Sequence, residues 1–421
     1  MRKIIFVLIF IFITISIGYA QLTVSGILDT SVSGNAGAGD SPVFSFGFEE
    51  YANLRFQAKL REMGTVYGAV NLIAAAGDYA FGLARMGINS AGGNFISAIE
   101  LERLYFRLRG EHTDFDGGLM RLPFGYGQVW GSSDFLNPRN PLKPDARLRG
   151  ILGAALTWYP VDELKLLIFY AAPREVLSQE GKGSFAGLSL DQHWDKASLQ
   201  ALYSFETPIS GPEASDASPV IPAGSKFGIH RAGLSVKADI EIGLVLDALY
   251  TYNHEAMREL EFFPKEKNDP SLLDGLSFSA GADYSFLGGD LIVLTEYLYN
   301  GKKSATALGY GGSFSNNHYL YTSFTYRFSD FTNMSAALLC GFDDVSFTPI
   351  ISLTHDLFQG ATLTITAQVP LDRHLFYGDG KKGELGPLPP DSLQPHSPET
   401  GDILGRYGSY FNCVARLRIR F

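Results

Sequence analysis

YGSYFNCVARLRIRF, residues 407–421, is the stretch that decides the fold class of this chain. Its side chains alternate between two chemical types, as in a β-strand, where successive residues point to opposite faces. The apolar face comprises Phe411, Cys413, Ala415, Leu417, Ile419 and Phe421, and the opposite face carries Arg416, Arg418 and Arg420. A helix would spread the arginines around its circumference, so the pattern favours a strand. One apolar wall and one wet wall suit a barrel in lipid, and the alternative is the last strand of a soluble β-sandwich.

The opposite end of the chain has the features of a secretory signal peptide. Arg2 and Lys3 precede an apolar run, and the small residues Gly18 and Ala20 occupy positions −3 and −1 before Gln21. We therefore predict a signal peptide over residues 1–20, with an uncleaved membrane anchor as the alternative. Since no later apolar run approaches the roughly 18 residues of a spanning helix, a membranous mature chain would have to be a β-barrel.

The composition of the chain limits the classes of molecule that it can be expected to bind. The chain has 34 Lys and Arg against 44 Asp and Glu, a net charge of −10 at pH 7. This acidic balance argues against nucleic acid as a partner. Cys340 and Cys413 both fall on apolar faces of predicted strands, so we expect two unpaired small hydrophobic residues rather than a disulfide or a metal site.

Alternating segments recur along the whole mature chain. They predict an all-β, transmembrane, antiparallel up-and-down barrel of about eighteen strands, with sixteen as the alternative, in one domain over residues 21–421. The predicted strands are 22–32, 51–61, 64–76, 97–109, 113–123, 151–159, 163–172, 184–193, 196–206, 227–239, 242–252, 275–286, 290–300, 317–328, 331–342, 345–355, 360–370 and 407–421.

The gaps between these segments alternate in length. Gaps after even-numbered strands are short, as at Glu62-Met63 and Gly288-Gly289, whereas most gaps after odd-numbered strands are long. The long gaps are 33–50, 77–96, 124–150, 207–226, 253–274, 301–316 and 371–406. Short periplasmic turns and long external loops are typical of bacterial outer-membrane barrels. We therefore expect an outer-membrane location with both termini in the periplasm.

The mature chain resembles outer-membrane porins and substrate-specific channels. The similarity lies in the architecture, in the terminal Phe421, and in one segment that runs from a Gly-x-x-Arg strand through a Gly/Trp loop to a strand ending in Tyr-Pro. Its elements are Gly118, Arg121, Trp130, Asn137-Pro138 and Tyr159-Pro160. The resemblance implies that Phe421 is a signal for the barrel-assembly machinery and that loop 124–150 folds inward to form a constriction. That loop contains Trp130, Asp134, Arg139, Lys143, Arg147 and Arg149.

An eighteen-stranded barrel leaves an aqueous lumen whose wall chemistry governs passage. Several predicted strands place basic residues opposite their apolar face, and these strands are near neighbours if the last strand pairs with the first. The resulting basic sector comprises Arg55, Lys59, Arg61, Arg103, Arg107, Arg109, Arg416, Arg418 and Arg420. Such a sector attracts anions. Alternatively, carboxylates neutralise it, and the candidates are Asp29, Asp114, Asp116, Asp134 and Asp145.

Catalytic motifs are weak. No Gly-x-Ser-x-Gly occurs, and His254-Glu255 lacks the second histidine of a zincin helix. His230 is the one outward histidine that would suit a barrel phospholipase. We therefore expect no enzyme activity, no cofactor and no metal site.

The sequence favours an outer-membrane channel for passive diffusion of small polar solutes, with anion preference as the finer expectation. Its expected partners are the lipid bilayer, the assembly machinery during biogenesis and the solutes themselves. One alternative is a surface-exposed structural or adhesive barrel, for which the proline-rich loop 371–406 would serve. Another is a transporter of hydrophobic substrates. Aromatic residues near strand ends are expected in interfacial girdles, namely Tyr250, Tyr252, Tyr297, Tyr299, Tyr326 and Phe328.

Overall fold

The computed structural model describes most of the chain after the first twenty residues. The described residues are 21–37, 44–60, 64–77, 95–137, 150–172, 183–207, 228–257, 260–261, 271–301, 316–343, 345–371 and 410–421. The predicted signal peptide lies outside them.

Eighteen strands account for most of these residues. In chain order, β1 to β18 are Gln21–Gly37, Phe44–Leu60, Gly64–Gly77, Phe95–Arg109, Thr113–Met120, Ile151–Val161, Leu164–Ala171, Phe185–His193, Ala197–Glu206, Ile229–Asp239, Gly243–Asn253, Leu276–Phe286, Leu291–Asn300, His318–Ser329, Thr332–Gly341, Ser346–Phe358, Ala361–Gln368 and Tyr410–Arg420. One helical turn, α1, spans His254–Met257, and two 3₁₀ turns span Leu272–Gly275 and Leu287–Gly289. No helix among the described residues is long and apolar enough to cross a membrane.

The strands form one closed antiparallel barrel. Each strand pairs with its neighbours in chain order, and β18 pairs with β1, with Ile27 opposite Arg420 and Gly37 opposite Tyr410. Closure leaves no unpaired edge, so the backbone polar groups of the strands are satisfied within the sheet. The predicted fold class, the count of eighteen and the pairing of the last strand with the first are confirmed.

Both ends of the described chain lie at the same rim, the one with the short turns. Gly26 and Phe421 exchange two backbone hydrogen bonds, of 2.8 and 3.1 Å, close to this rim. The turn between β12 and β13 depends on Gly288 and Gly289, whose φ angles of 69° and 101° are easily reached only without a Cβ. Seven of the eight turns at this rim are short and described, and the turn at 61–63 lies outside the described residues.

The outer face is apolar. Side chains such as Ile99, Ile168, Leu246 and Ile351 are exposed there, as lipid-facing residues of a transmembrane barrel are. Aromatic side chains collect near the strand ends, and Tyr326 and Phe328 pack edge to face with ring centroids 4.8 Å apart. Cys340 and Cys413 are free, which confirms the prediction that they are unpaired.

Candidate functional site

The described members of the predicted basic sector lie on the inner face of β2, β4 and β18, which belong to a run of adjoining strands from β18 through β1 to β4. Two of them form bidentate ion pairs with neighbouring strands. Arg418 of β18 donates to both carboxylate oxygens of Asp29 on β1, at 2.8 and 2.9 Å. Arg107 of β4 donates to both oxygens of Asp116 on β5, at 2.7 and 3.0 Å. Asp29 and Asp116 are thus two of the neutralising carboxylates considered above.

A third carboxylate enters this wall through a β-bulge. The pairing of β3 with β4 shifts between Ala69 and Val70, so that Arg103 is opposite Ala69, Leu101 is opposite Val70, and Glu102 has no partner. Strict alternation would place Glu102 and Arg103 on opposite faces. The bulge instead turns Glu102 and Arg103 to the same side, which is a common consequence of an extra residue in one strand.

Glu102 is the centre of a small polar network. Its side chain is buried, with 4% exposure. Oε1 accepts from Arg103 at 2.9 Å and from Arg121 at 3.1 Å, and Oε2 accepts from the amide of Asn53 at 2.8 Å. One carboxylate therefore serves two guanidinium groups.

The other basic residues of this wall have weaker or more solvated surroundings. Arg55 is exposed and donates to the amide oxygen of Asn53 at 2.5 Å, and Arg416 donates to the Ser31 hydroxyl at 3.2 Å. The remaining described members are exposed near the short-turn rim, namely Lys59, Arg109 and Arg420. Arg61 lies outside the described residues.

A cavity of about 180 Å³ opens on this wall. Arg55 and Arg103 line it on one side, and Tyr67 and Tyr105 stack beside them with ring centroids 4.9 Å apart and planes 16° apart. Gln57, Thr23 and Ser25 supply further polar groups. The cavity thus combines two cationic forks, flat aromatic faces and neutral donors, which is suited to a small anionic solute.

The segment after β5 packs on the inner face of the opposite wall. The backbone N–H groups of Gln128, Val129 and Trp130 all donate to the Glu296 carboxylate of β13, at 3.0, 2.9 and 3.1 Å. Successive N–H groups converging in this way form an anion-binding nest. Glu296 is only 1% exposed, so the contact is fully enclosed.

A second buried carboxylate, two strands away from Glu296, binds the same segment. Asp247 of β11 accepts from the Ser133 backbone at 3.2 Å, from the Ser133 hydroxyl, and from the Ser235 hydroxyl of β10 at 2.6 Å. Gly125, with φ of 78°, donates its N–H to Gln200 of β9 at 2.6 Å. A Cβ at position 125 would lie 2.5 Å from Asp247, so glycine is required there on two counts.

Apolar packing completes the attachment. Trp130 is fully buried in a cluster with Val129, Leu298, Tyr319 and Leu339, which brings in β13, β14 and β15. Burial, together with the nearby Asp191 carboxylate, raises the pKa of Tyr126 to about 12, so this phenol stays neutral at physiological pH. Together these contacts carry residues 125–133 across β9 to β15.

Among these anchors, the sequence analysis names Trp130 but not Glu296 or Asp247. Asp134 is buried and accepts the Asn137 N–H at 3.2 Å, a contact within its own turn. Asp145, Arg139, Lys143, Arg147 and Arg149 lie outside the described residues, as does most of loop 371–406. The available signal for the anchors was a lone acidic residue within an apolar strand, Asp247 in LVLDALY and Glu296 in LIVLTEYLY.

Among the described residues, no group of three or more His, Cys, Asp or Glu side chains is placed to hold a metal ion. The outward His230 ring pairs with the Tyr203 hydroxyl at 2.7 Å rather than with a serine.

Comparison with known proteins identifies the fold. No family model matches the chain, and no curated protein matches it in sequence. The structure of OccK8 (OprE) from Pseudomonas aeruginosa matches it with a TM-score of 0.55 at 11% identity, over 95% of this chain and 98% of that one. OccK2 (OpdF) from the same organism gives 0.54 at 9% identity, and its complex with glucuronate gives 0.53 at 8%, both with the same coverage. The chain therefore has the β-barrel fold of these Pseudomonas aeruginosa Occ proteins.

Proposed function

We propose that this protein is an outer-membrane channel through which small polar solutes diffuse passively, with a preference for anions. It requires no cofactor and performs no covalent chemistry. Its partners are the lipid of the outer membrane, the solutes, and the barrel-assembly machinery during biogenesis, and both termini face the periplasm.

One observation carries this proposal: the inner surface is divided into two unlike halves. Residues 125–133 pack against β9 to β15, whereas the inner face of β18 and β1 to β4 carries the exposed Arg55 and the partly exposed Arg103 beside a cavity. Solutes that pass between the loop and the opposite wall therefore meet the arginines. In this proposal the loop forms the constriction, and the arginines line its other side.

The charge on that wall is incompletely balanced. Around the cavity, Arg103 and Arg121 share the Glu102 carboxylate, Arg55 donates to the neutral Asn53 amide, and Glu100 accepts from Asn71 at 3.2 Å. An excess of fixed positive charge beside a narrow water column concentrates anions through its field. The solved OccK2 complex contains glucuronate, a solute of the size and charge that the cavity suits.

Conductance in planar lipid bilayers tests the proposal. Purified protein should produce discrete current steps, and the reversal potential under a tenfold KCl gradient should have the sign of anion preference. A preference for cations would exclude the anion-selective channel. A barrel that passes no steady current would instead favour the structural or adhesive alternative.

A further inference from the structure

The bulged Glu102 offers a further inference, which rests on the proposed channel function. We propose that Glu102 is a built-in competitor for the anionic solute: its carboxylate occupies the Arg103 guanidinium when the cavity is empty and yields it to a solute carboxylate during passage. Glu102 would thus be a specificity-determining residue that sets how long an anion stays.

The geometry of Arg103 supports this exchange. Arg103 lines the cavity together with Arg55, and its side chain retains 30% exposure. Its Nε and Nη2 both bond to the same oxygen of Glu102, at 3.0 and 2.9 Å. A carboxylate entering the cavity can therefore reach the guanidinium from the open side.

Glu102 does not lose all its partners when Arg103 turns away. Its Oε1 also accepts from Arg121 at 3.1 Å, and Oε2 accepts from Asn53 at 2.8 Å. A buried carboxylate left without donors would be strongly unfavourable. Because two donors remain, exchange at Arg103 costs much less than breaking an isolated buried pair.

The bulge allows Glu102 to compete with a solute for Arg103, because it puts both side chains on the same face. In a regular strand, consecutive residues point to opposite faces, so Glu102 and Arg103 could not both face the lumen and Arg103 would have no neighbouring Glu102 carboxylate at its side. A fully unpaired Arg103 next to Arg55 would bind an anion more strongly and release it more slowly. Passage requires binding that is favourable enough for entry but weak enough for exit, and the Glu102 contact moves the balance toward exit.

The test measures how long glucuronate blocks single-channel current. With glucuronate on one side of the bilayer, blockades of the Glu102→Gln channel should last roughly tenfold longer than those of wild type, since a hydrogen bond to a charged group contributes about one tenfold step or more. Glu50→Gln is the matched control, because it makes the same chemical change on the outer face. There the Glu50 carboxylate accepts a hydrogen bond from the Thr30 hydroxyl. Its blockades should match those of wild type.

A double-mutant cycle separates competition from a general change in field. In an Arg103→Gln background, Glu102→Gln should change the blockade time less than twofold, because the contested guanidinium is gone. An equal lengthening in both backgrounds would mean a field effect and would overturn the inference. Unchanged or shorter blockades in Glu102→Gln alone would also overturn it.

Arg121→Gln keeps the inference testable if Glu102→Gln does not assemble. Without Arg121, Glu102 no longer divides its Oε1 between two guanidinium groups and binds Arg103 more strongly, so blockades should become shorter, and unchanged or longer blockades would contradict the proposal. Failure here is distinct from failure of the channel proposal. A cation-preferring wild type defeats both, whereas an anion-preferring wild type with unaltered blockades in these variants defeats the Glu102 inference alone.

Discussion

At the scale of single residues, two buried carboxylates organise a loop that is far from them in sequence. Glu296 and Asp247 receive their hydrogen bonds from N–H and hydroxyl donors of residues 128–133 and of neighbouring strands. A buried charge without donors would be costly, so each carboxylate and the segment it binds stabilise one another. The loop is therefore held by specific bonds rather than by general collapse into the lumen.

Replacing Glu296 with Gln should loosen this attachment. Glutamine offers one neutral acceptor where the carboxylate accepts three N–H groups, and a charge-assisted bond is worth about 1.5–3 kcal/mol against about 1 kcal/mol for a neutral one. We expect more frequent brief closures in single-channel recordings, because the segment samples other positions. Glu50→Gln on the outer face should record like wild type, and quiet Glu296→Gln traces would show that the remaining contacts suffice.

Single residues also mark where reading the sequence fails. Alternation counted back from Arg107 and Arg103 would send Glu102 outward, but a bulge changes the parity of β4. Its one sign in the sequence is that the outward apolar residues step by three there, from Leu101 to Leu104. Glu296 and Asp247 were visible as acidic residues in apolar strands, yet their partners lie more than 100 residues away. Contacts across a lumen depend on how a loop folds, which the alternation of one strand does not encode.

At the scale of the elements, all eighteen strands were predicted, most with ends within two or three residues. This success has a physical reason: a strand between lipid and water must alternate, and its neighbours must be joined by tight turns. The greatest departures are at the tall β1 and β2, which extend beyond the predicted ends to Gly37 and Phe44. The extension of β1 consists of small and polar residues with no apolar face, so the pattern gives no signal there. In β2, by contrast, Phe44, Phe46 and Phe48 continue the outward apolar face, so the sequence does carry a signal that the predicted start missed.

The last strand offers an element-scale prediction. The Phe421 ring lies over Gly26 of β1, where an added Cβ would come 2.4 Å from a ring atom. Deleting Phe421 should reduce membrane insertion severely, because the strand loses its terminal aromatic, the expected assembly signal, together with two backbone bonds to Gly26. Heat-modifiable mobility in gels and membrane fractionation would measure the loss.

Gly26→Ala separates assembly from packing in this experiment. The alanine methyl displaces the Phe421 ring but keeps a C-terminal phenylalanine, so we expect normal insertion with a modest loss of stability. Equal failure of both variants would indicate that the contact with Gly26, rather than the terminal aromatic as a signal, is what matters. Normal insertion of the deletion variant would contradict the assembly role outright.

At the scale of the whole molecule, loop-length asymmetry predicts orientation in the membrane. The short-turn rim should face the periplasm and the long gaps the exterior. The test uses two single-cysteine variants, Asp195→Cys and Ser215→Cys, each made in a Cys340→Ser, Cys413→Ser background. Position 195 is in an exposed short turn, and position 215 is in the long gap 207–226. A membrane-impermeant maleimide should label the second variant on intact cells and the first only after the outer membrane is opened. The reverse labelling would invert the topology.

The lumen has a loop-covered wall and a basic wall, and we expect the basic wall to determine ion selectivity. Arg55 and Arg416 lie on the basic wall, where they donate to the neutral groups of Asn53 and Ser31. They pair with Ser25 and Ser31 of β1, which places them about 20 Å apart along the wall. Each acts on solutes within a Debye length of about 10 Å at 0.1 M salt. The double variant Arg55→Gln, Arg416→Gln should therefore shift the reversal potential toward cation preference, most strongly at low ionic strength.

Lys237→Gln, on the inner face of β10 across the barrel, is the matched control and should shift the reversal potential less. If removing Lys237 shifts the potential as much as removing an arginine does, the selectivity arises from the net charge of the lumen rather than from one wall. If neither changes it, Asp29, Asp116 and Glu102 already cancel the field that solutes experience.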